Sequence, residues 1–179
     1  MPDLTRLELF AGEHVRCVVE CPRGSPAKFK YNPAQQVFEL SRPLLKGLTY
    51  PFDWGFLPST HGADGDPLDV LVFHDSPTFA GLVLTCRIIG VLEVEQREAH
   101  QKTKFRNDRF FAVPSHASRE DGLSSVKQLS KKVRSELEQF FTQVAVTGGK
   151  ELTFEGWHGP THALALIDQV LTVRRPKAA

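Results

Sequence analysis

The sequence predicts an α+β fold, mainly β, in which strands close into a barrel, or nearly so, with two helices packed outside. Three observations carry this reading. Short runs of branched apolar and aromatic residues fill the first two thirds of the chain, the hydrophobic period lengthens after Ser125, and strands come first with helices last. A length of 179 residues, 41% hydrophobic and 24% charged, is enough for one domain with a real core, assigned to residues 1–179.

In "HVRCVVECP", Val15, Cys17 and Val19 alternate with Arg16, Val18 and Glu20, as in a strand whose last residue emerges at a rim. "AKFKYNPAQQVFELSR" predicts two strands around a turn at Asn32-Pro33, with Lys28 and Lys30 on one face and Phe29 and Tyr31 on the other. "DVLVF", "GLVLTCRIIGVLEVE" and "RFFAVP" read as core strands. Between the last two, Gln96 to Asp108 is polar and aperiodic and reads as a long loop. From Ser125, the residues Val126, Leu129, Val133, Leu137, Phe140 and Val144 recur at helical steps and predict an amphipathic helix. "ELTFEGW" is a further strand, and "GPTHALALIDQVLTVRR" a final helix with Pro160 in its first turn.

A formal charge of +1 offers no global field for nucleic acid or an anionic membrane, and the basic stretch "KTKFRNDR" lacks a second basic face. No apolar run approaches the roughly 20 residues of a membrane helix, so neither a membrane nor a nucleic-acid partner is expected. Cys17, Cys21 and Cys86 have no metal-ligand spacing, and the N-terminus "MPDLTRLELFAGEHVR" is too acidic for an export signal. They read as reduced, buried thiols of a cytoplasmic protein.

The chemistry gathers in "ADGDPLDVLVF", where Asp64, Asp66 and Asp69 fall within six positions. Carboxylates this close repel one another unless a cation or hydrogen bonds offset the cost, although Asp, Gly and Pro also suit a solvated turn. A helix-loop-helix calcium site fails, because counting from Asp64 puts Leu68 and Asp69 at positions five and six and a strand follows. A magnesium site fits better, since that ion needs few carboxylates and works with substrate phosphates. Cations for such phosphates are Lys28, Lys30 and Arg42 on the hairpin, with Lys102, Lys104, Arg106 and Arg109 around the polar stretch. His158 and His162 stand four apart, but Pro160 lies between them and no Glu follows the first; they read as surface histidines at a helix start.

"VVECP", "KFKY", "SRPLLKGLTYPFDWGFLPST", "DGDPLDVLV", "CRIIGVLEVE", "FAVP" and "FEGW" follow in an order and spacing that resembles the soluble family I inorganic pyrophosphatases, from His14 to the last helix. The resemblance implies a closed five-stranded, OB-like β-barrel with two flanking C-terminal helices. It implies Mg2+-dependent hydrolysis of pyrophosphate in the cytoplasm, by a homo-oligomer. By the same resemblance Asp64, Asp69 and Glu20 bind metal, Asp66 activates the attacking water, Tyr50 is a further catalytic residue, and Lys28 and Arg42 hold phosphate oxygens. Lys30 stands where the family has a glutamate, Trp54 a tyrosine, Gln96 and Asn107 two aspartates, Arg109 a lysine, and Val144-Ala145 a Tyr-Lys pair. Lys30 and Arg109 then join the substrate-binding cations, and Asp108, with Glu95 or Glu98 as alternatives, substitutes for a lost metal ligand. The less acidic pocket is expected to bind fewer magnesium ions and to catalyse more weakly. Hydrolysis of an organic phosphate and phosphate binding without catalysis remain the alternatives.

Overall fold

A computed structural model of the chain describes residues 3–116 and 122–171. In chain order its strands are β1 (Phe10–Ala11), β2 (His14–Cys21), β3 (Ala27–Asn32), β4 (Val37–Pro43), β5 (Asp53–Leu57), β6 (Leu68–Val72), β7 (Val83–Glu98), β8 (Lys104–Arg106) and β9 (Arg109–Pro114). Helix α1 (Lys131–Thr147), strand β10 (Lys150–His158) and helix α2 (Pro160–Gln169) follow.

Strands β2, β5, β6, β9 and β7 pair in that order, and β7 pairs again with β2, so five strands form a closed ring. Every pairing in the ring is antiparallel except β6 with β9. The β3–β4 hairpin is a separate two-stranded sheet whose turn is built by Asn32, whose side-chain oxygen accepts the N–H groups of Ala34 and Gln35 at 3.0 and 3.2 Å.

Burial on both faces explains the unbroken apolar run of β6. Val70 and Val72 join a cluster with Val91, Phe110 and Ile167 of α2, while Leu71 joins one with Leu92, Phe111 and the α1 residues Phe140 and Phe141. Each fully buried large apolar side chain contributes roughly 1.5–3 kcal/mol relative to an exposed one, so the two helices are held mainly by these faces.

Three expectations change. Gln96 to Asp108 is not a plain loop: β7 continues to Glu98 and β8 pairs back onto it, with Gln96 opposite Phe105. Cross-strand ion pairs Lys104–Glu95 (3.0 Å) and Lys150–Glu98 (3.2 Å), with Arg97–Glu151, hold this polar extension, which therefore shows no apolar alternation. The first helix starts at Lys131, because Ser125 and Gln128 cap a separate 3-10 turn over Val126–Gln128 and Ser130 opens α1 by accepting Val133 N–H at 3.2 Å. Helix α2 ends at Gln169, and Leu171 bridges to Thr60; the remainder of that expected helix lies outside the described residues.

Candidate active site

The acidic loop is closed at its base by Thr60, whose hydroxyl accepts Leu68 N–H at 2.9 Å and donates to the Leu57 carbonyl at 2.7 Å. Inside it, Asp66 N–H donates to Asp64 Oδ1 at 3.2 Å and Gly62 N–H to the Asp66 carbonyl at 2.7 Å. Gly65 sits between them at φ +88°, a left-handed conformation that glycine adopts without strain. Asp64 and Asp66 are thereby presented on one turn, with Asp69 two residues into the strand that follows.

Parallel pairing of β6 with β9 sets Asp69 beside Arg109, forty positions later, and the Arg109 guanidinium donates to both Asp69 Oδ2 and Asn107 Oδ1. Asn107 Nδ2 donates in turn to Asp64 Oδ2 at 3.2 Å and to Gln96 Oε1 at 3.1 Å. Gln96 is 2% exposed and its Nε2 is buried without a partner. The guanidinium carbon of Arg109 also lies 5.4 Å from the centre of the Trp54 ring, a cation–π contact that orients the cation.

Opposite, β3 and β4 supply the other cations. Lys28 and Arg42 are cross-strand partners. Lys30 Nζ donates to Asp66 Oδ2 at 2.7 Å, with both side chains about half exposed. Arg42 reaches the C-terminal end of α1, where its Nη2 donates to the Val144 carbonyl at 2.9 Å, the end of a helix that favours positive charge. A Cβ on Gly148 would fall 2.7 Å from that guanidinium, so glycine there makes room for Arg42.

These groups line a cavity of about 250 Å³ in which Lys28, Lys30, Arg42, Arg109 and Lys150 face Asp64, Asp66 and Asp69. With cations outnumbering carboxylates, the cavity attracts an oxyanion more readily than a bare metal ion. Lys150 is a cation that the sequence reading missed; its sole local sign is its place just after Gly148-Gly149, and β10 pairing carries it to the rim.

Electrostatics follow burial. Glu20, 7% exposed, is pushed up to about 7 by burial, against the Tyr31 N–H that donates to its Oε1 at 2.7 Å. Desolvation holds Asp69 above the ordinary carboxylate range although Arg109 and Lys28 pull it down. Desolvation also holds Lys28 below the lysine range, against Asp69 and Glu20; for Lys30 burial likewise pulls down, but the hydrogen bond to Asp66 and the charges of Asp66, Glu20 and Asp64 together outweigh it and hold the ammonium above. Tyr50 is 2% exposed, and burial with the neighbouring Cys21 thiol raises its phenol, which stays a neutral hydroxyl in the cavity wall.

Of the residues singled out from sequence, Lys28, Lys30, Arg42, Tyr50, Asp64, Asp66, Asp69 and Arg109 converge on this cavity. Glu20 lies in the adjoining cleft, which shares Lys28, Lys30, Asp66 and Asp69 with it. Asp108 is placed elsewhere. Its carboxylate accepts Val94 N–H at 2.8 Å and takes Arg106 in two contacts at 3.1 and 2.9 Å, and it lines a neighbouring cavity that shares Asp64 and Asn107 with this one.

The family model described as inorganic pyrophosphatase matches residues 17–174. The chain is 33% identical over 163 residues to the inorganic pyrophosphatase of Geobacillus stearothermophilus, covering 90% of this chain and 94% of that relative. It is 34% identical over 152 residues to that of Streptomyces coelicolor, covering 84% and 90%. The backbone matches the crystal structure of inorganic pyrophosphatase from Thermus thermophilus with a TM-score of 0.83 at 31% identity, over 94% of this chain and 96% of that one.

Proposed function

Because the chain belongs to the inorganic pyrophosphatase family, we propose that its cavity hydrolyses inorganic pyrophosphate to two orthophosphates with Mg2+ as cofactor. The observation that carries this reading is the convergence of Asp64, Asp66 and Asp69 on five cationic side chains in one small cavity.

The donors suit the ion: Mg2+ takes oxygen ligands and commonly only one or two carboxylates, and Asp64 with Asp69 would hold it here. Bound, it lowers the pKa of a coordinated water and offsets charge on the phosphates. Lys28, Arg42, Arg109 and Lys150 grip phosphate oxygens, which positions the phosphorus for attack and neutralises charge as the bridging P–O bond breaks. Asp66 accepts the proton of the attacking water, whose oxygen forms the new P–O bond. Lys30 must leave Asp66 for this, and an incoming phosphate gives its ammonium the alternative partner. The neutral Tyr50 hydroxyl donates to a phosphate oxygen. Each aspartate already has a cationic or amide partner in Lys30, Arg109 or Asn107, which supports fewer bound ions and weaker turnover than a more acidic cavity would give.

Phosphate release from pyrophosphate, titrated with Mg2+, tests this against Asp66→Asn. Removing a general base is expected to cost about 10²–10⁴-fold in rate. Release from organic phosphates only would reassign the substrate, and release from none would leave a binding module. We also place the chain in the cytoplasm as a homo-oligomer, a reading supported by the family resemblance and by three free, buried thiols. Sedimentation velocity at micromolar concentration checks the assembly.

A further inference from the structure

We propose that Glu93, His158 and His162 form a second metal site, outside the aspartate cavity, that takes a borderline transition-metal cation such as Zn2+. Antiparallel pairing of β7 with β10 sets Glu93 opposite Gly156, two residues before His158, and α2 packs against β7 with His162 in its first turn. His162 Nε2 lies 2.7 Å from Glu93 Oε1 and His158 Nε2 3.8 Å from Glu93 Oε2. The two imidazole rings are 4.4 Å apart and inclined by 30°, and the three donor atoms lie within 4.8 Å of one another.

Tetrahedral zinc with bonds of about 2.0–2.1 Å needs donors roughly 3.4 Å apart, so His162 draws back from Glu93 by about 0.7 Å while the wider separations close by at most about 1.4 Å. Rotation of two half-exposed imidazoles, 39% and 46% accessible, supplies these shifts. The frame beneath them is stiff, because Gly159 caps α2 and Pro160 fixes its first helical φ. Two imidazoles and one carboxylate suit Zn2+, Co2+ or Ni2+, whereas Mg2+ prefers an all-oxygen shell. Three protein ligands leave a fourth position for water.

Arg106 competes for the site, since its Nη2 is 3.1 Å from Glu93 Oε1. It keeps two contacts with Asp108 when Glu93 turns to the metal. Removing its charge is therefore expected to tighten metal binding.

The test is titration of the full-length protein with Zn2+ by calorimetry, and with Co2+ by visible absorption, with Mg2+ saturating throughout to mask the aspartates. One equivalent is expected, with d–d bands for Co2+, at least about ten-fold weaker binding in His158→Ala and His162→Ala, and tighter binding in Arg106→Gln. All three substitutions are at the surface, and circular dichroism verifies their fold. The proposal is overturned if no equivalent binds under Mg2+, if the double histidine variant binds as the parent does, or if Asp64→Asn abolishes binding. Because the readout is metal occupancy, failure of pyrophosphate hydrolysis would leave this result intact.

Discussion

Asn107→Asp restores a carboxylate where an amide now bridges Asp64, Gln96 and Arg109, and it should convert metal-free stability into metal affinity. The amide nitrogen stands 3.2 Å from Asp64 Oδ2, so a carboxylate oxygen in its place faces a like charge at that distance. Coulomb repulsion there is about 1 kcal/mol in water and about 5 kcal/mol at an effective dielectric of 20; Asp64 is exposed, so the lower figure applies. Loss of the Asn107–Asp64 hydrogen bond adds roughly 1–2 kcal/mol. Arg109 returns about 1 kcal/mol by binding a charged partner, and Gln96 can flip its unpaired Nε2 to donate to the new oxygen. The metal-free variant should therefore lose about 1–2 kcal/mol. With Mg2+ present the sign reverses, because a dication about 4 Å from one more carboxylate gains about 2 kcal/mol, roughly thirty-fold in affinity. Urea unfolding in EDTA and in Mg2+, with calorimetric titration of Mg2+, measures both halves. Equal stability in EDTA, or superimposable Mg2+ isotherms, would refute the role of Asn107 as a neutralised ligand position.

Other outcomes follow from single contacts. Gly148→Ala puts a methyl 2.7 Å from the Arg42 guanidinium, at a backbone φ of −95° that alanine accepts; KM for pyrophosphate should rise several-fold while urea stability changes by less than about 1 kcal/mol. An unchanged KM would remove Arg42 from substrate binding. Glu20 carries a folded pKa of about 7 against an ordinary 4.5, so the folded state retains a proton that the unfolded chain releases. Its contribution to stability is undiminished below about pH 4.5 and falls as pH rises to 7, by at most about 3 kcal/mol; in metal-free protein Glu20→Gln should flatten that part of the stability curve. Burial pushes Cys21 up to about 11, and Cys17, hydrogen-bonded to Cys86 and buried, is also raised. Iodoacetamide at pH 8 should therefore leave the native thiols unlabelled and modify all three in denaturant; rapid native labelling would contradict their burial.

The strands, the helical stripe of α1 and the acidic loop were legible because each is a short-range pattern: alternation for half-buried strands, three- and four-residue steps for a helix, turn formers around Gly65. So was the identity of most cavity side chains, through motifs that stand close together in the chain. What stayed hidden is pairing at a distance. The β7–β8 extension gives no apolar alternation, since ion pairs such as Lys104–Glu95 hold it. Asp108 looked like a spare ligand, but its carboxylate is already engaged by Arg106 and by the Val94 N–H of β7. No Glu follows the first histidine of "HGPTH" in sequence, and the pair acquired Glu93 from a strand 65 positions upstream of His158.

Local composition thus determined which segments fold into strands and helices and which loop carries the acids, because those choices depend on neighbours within a few residues. The partner of each charge was decided by strand register. A parallel β6–β9 pairing sets Arg109 on Asp69, and an antiparallel β7–β10 pairing sets Glu93 beside two histidines; a shift of one residue in either would turn those side chains to the opposite face.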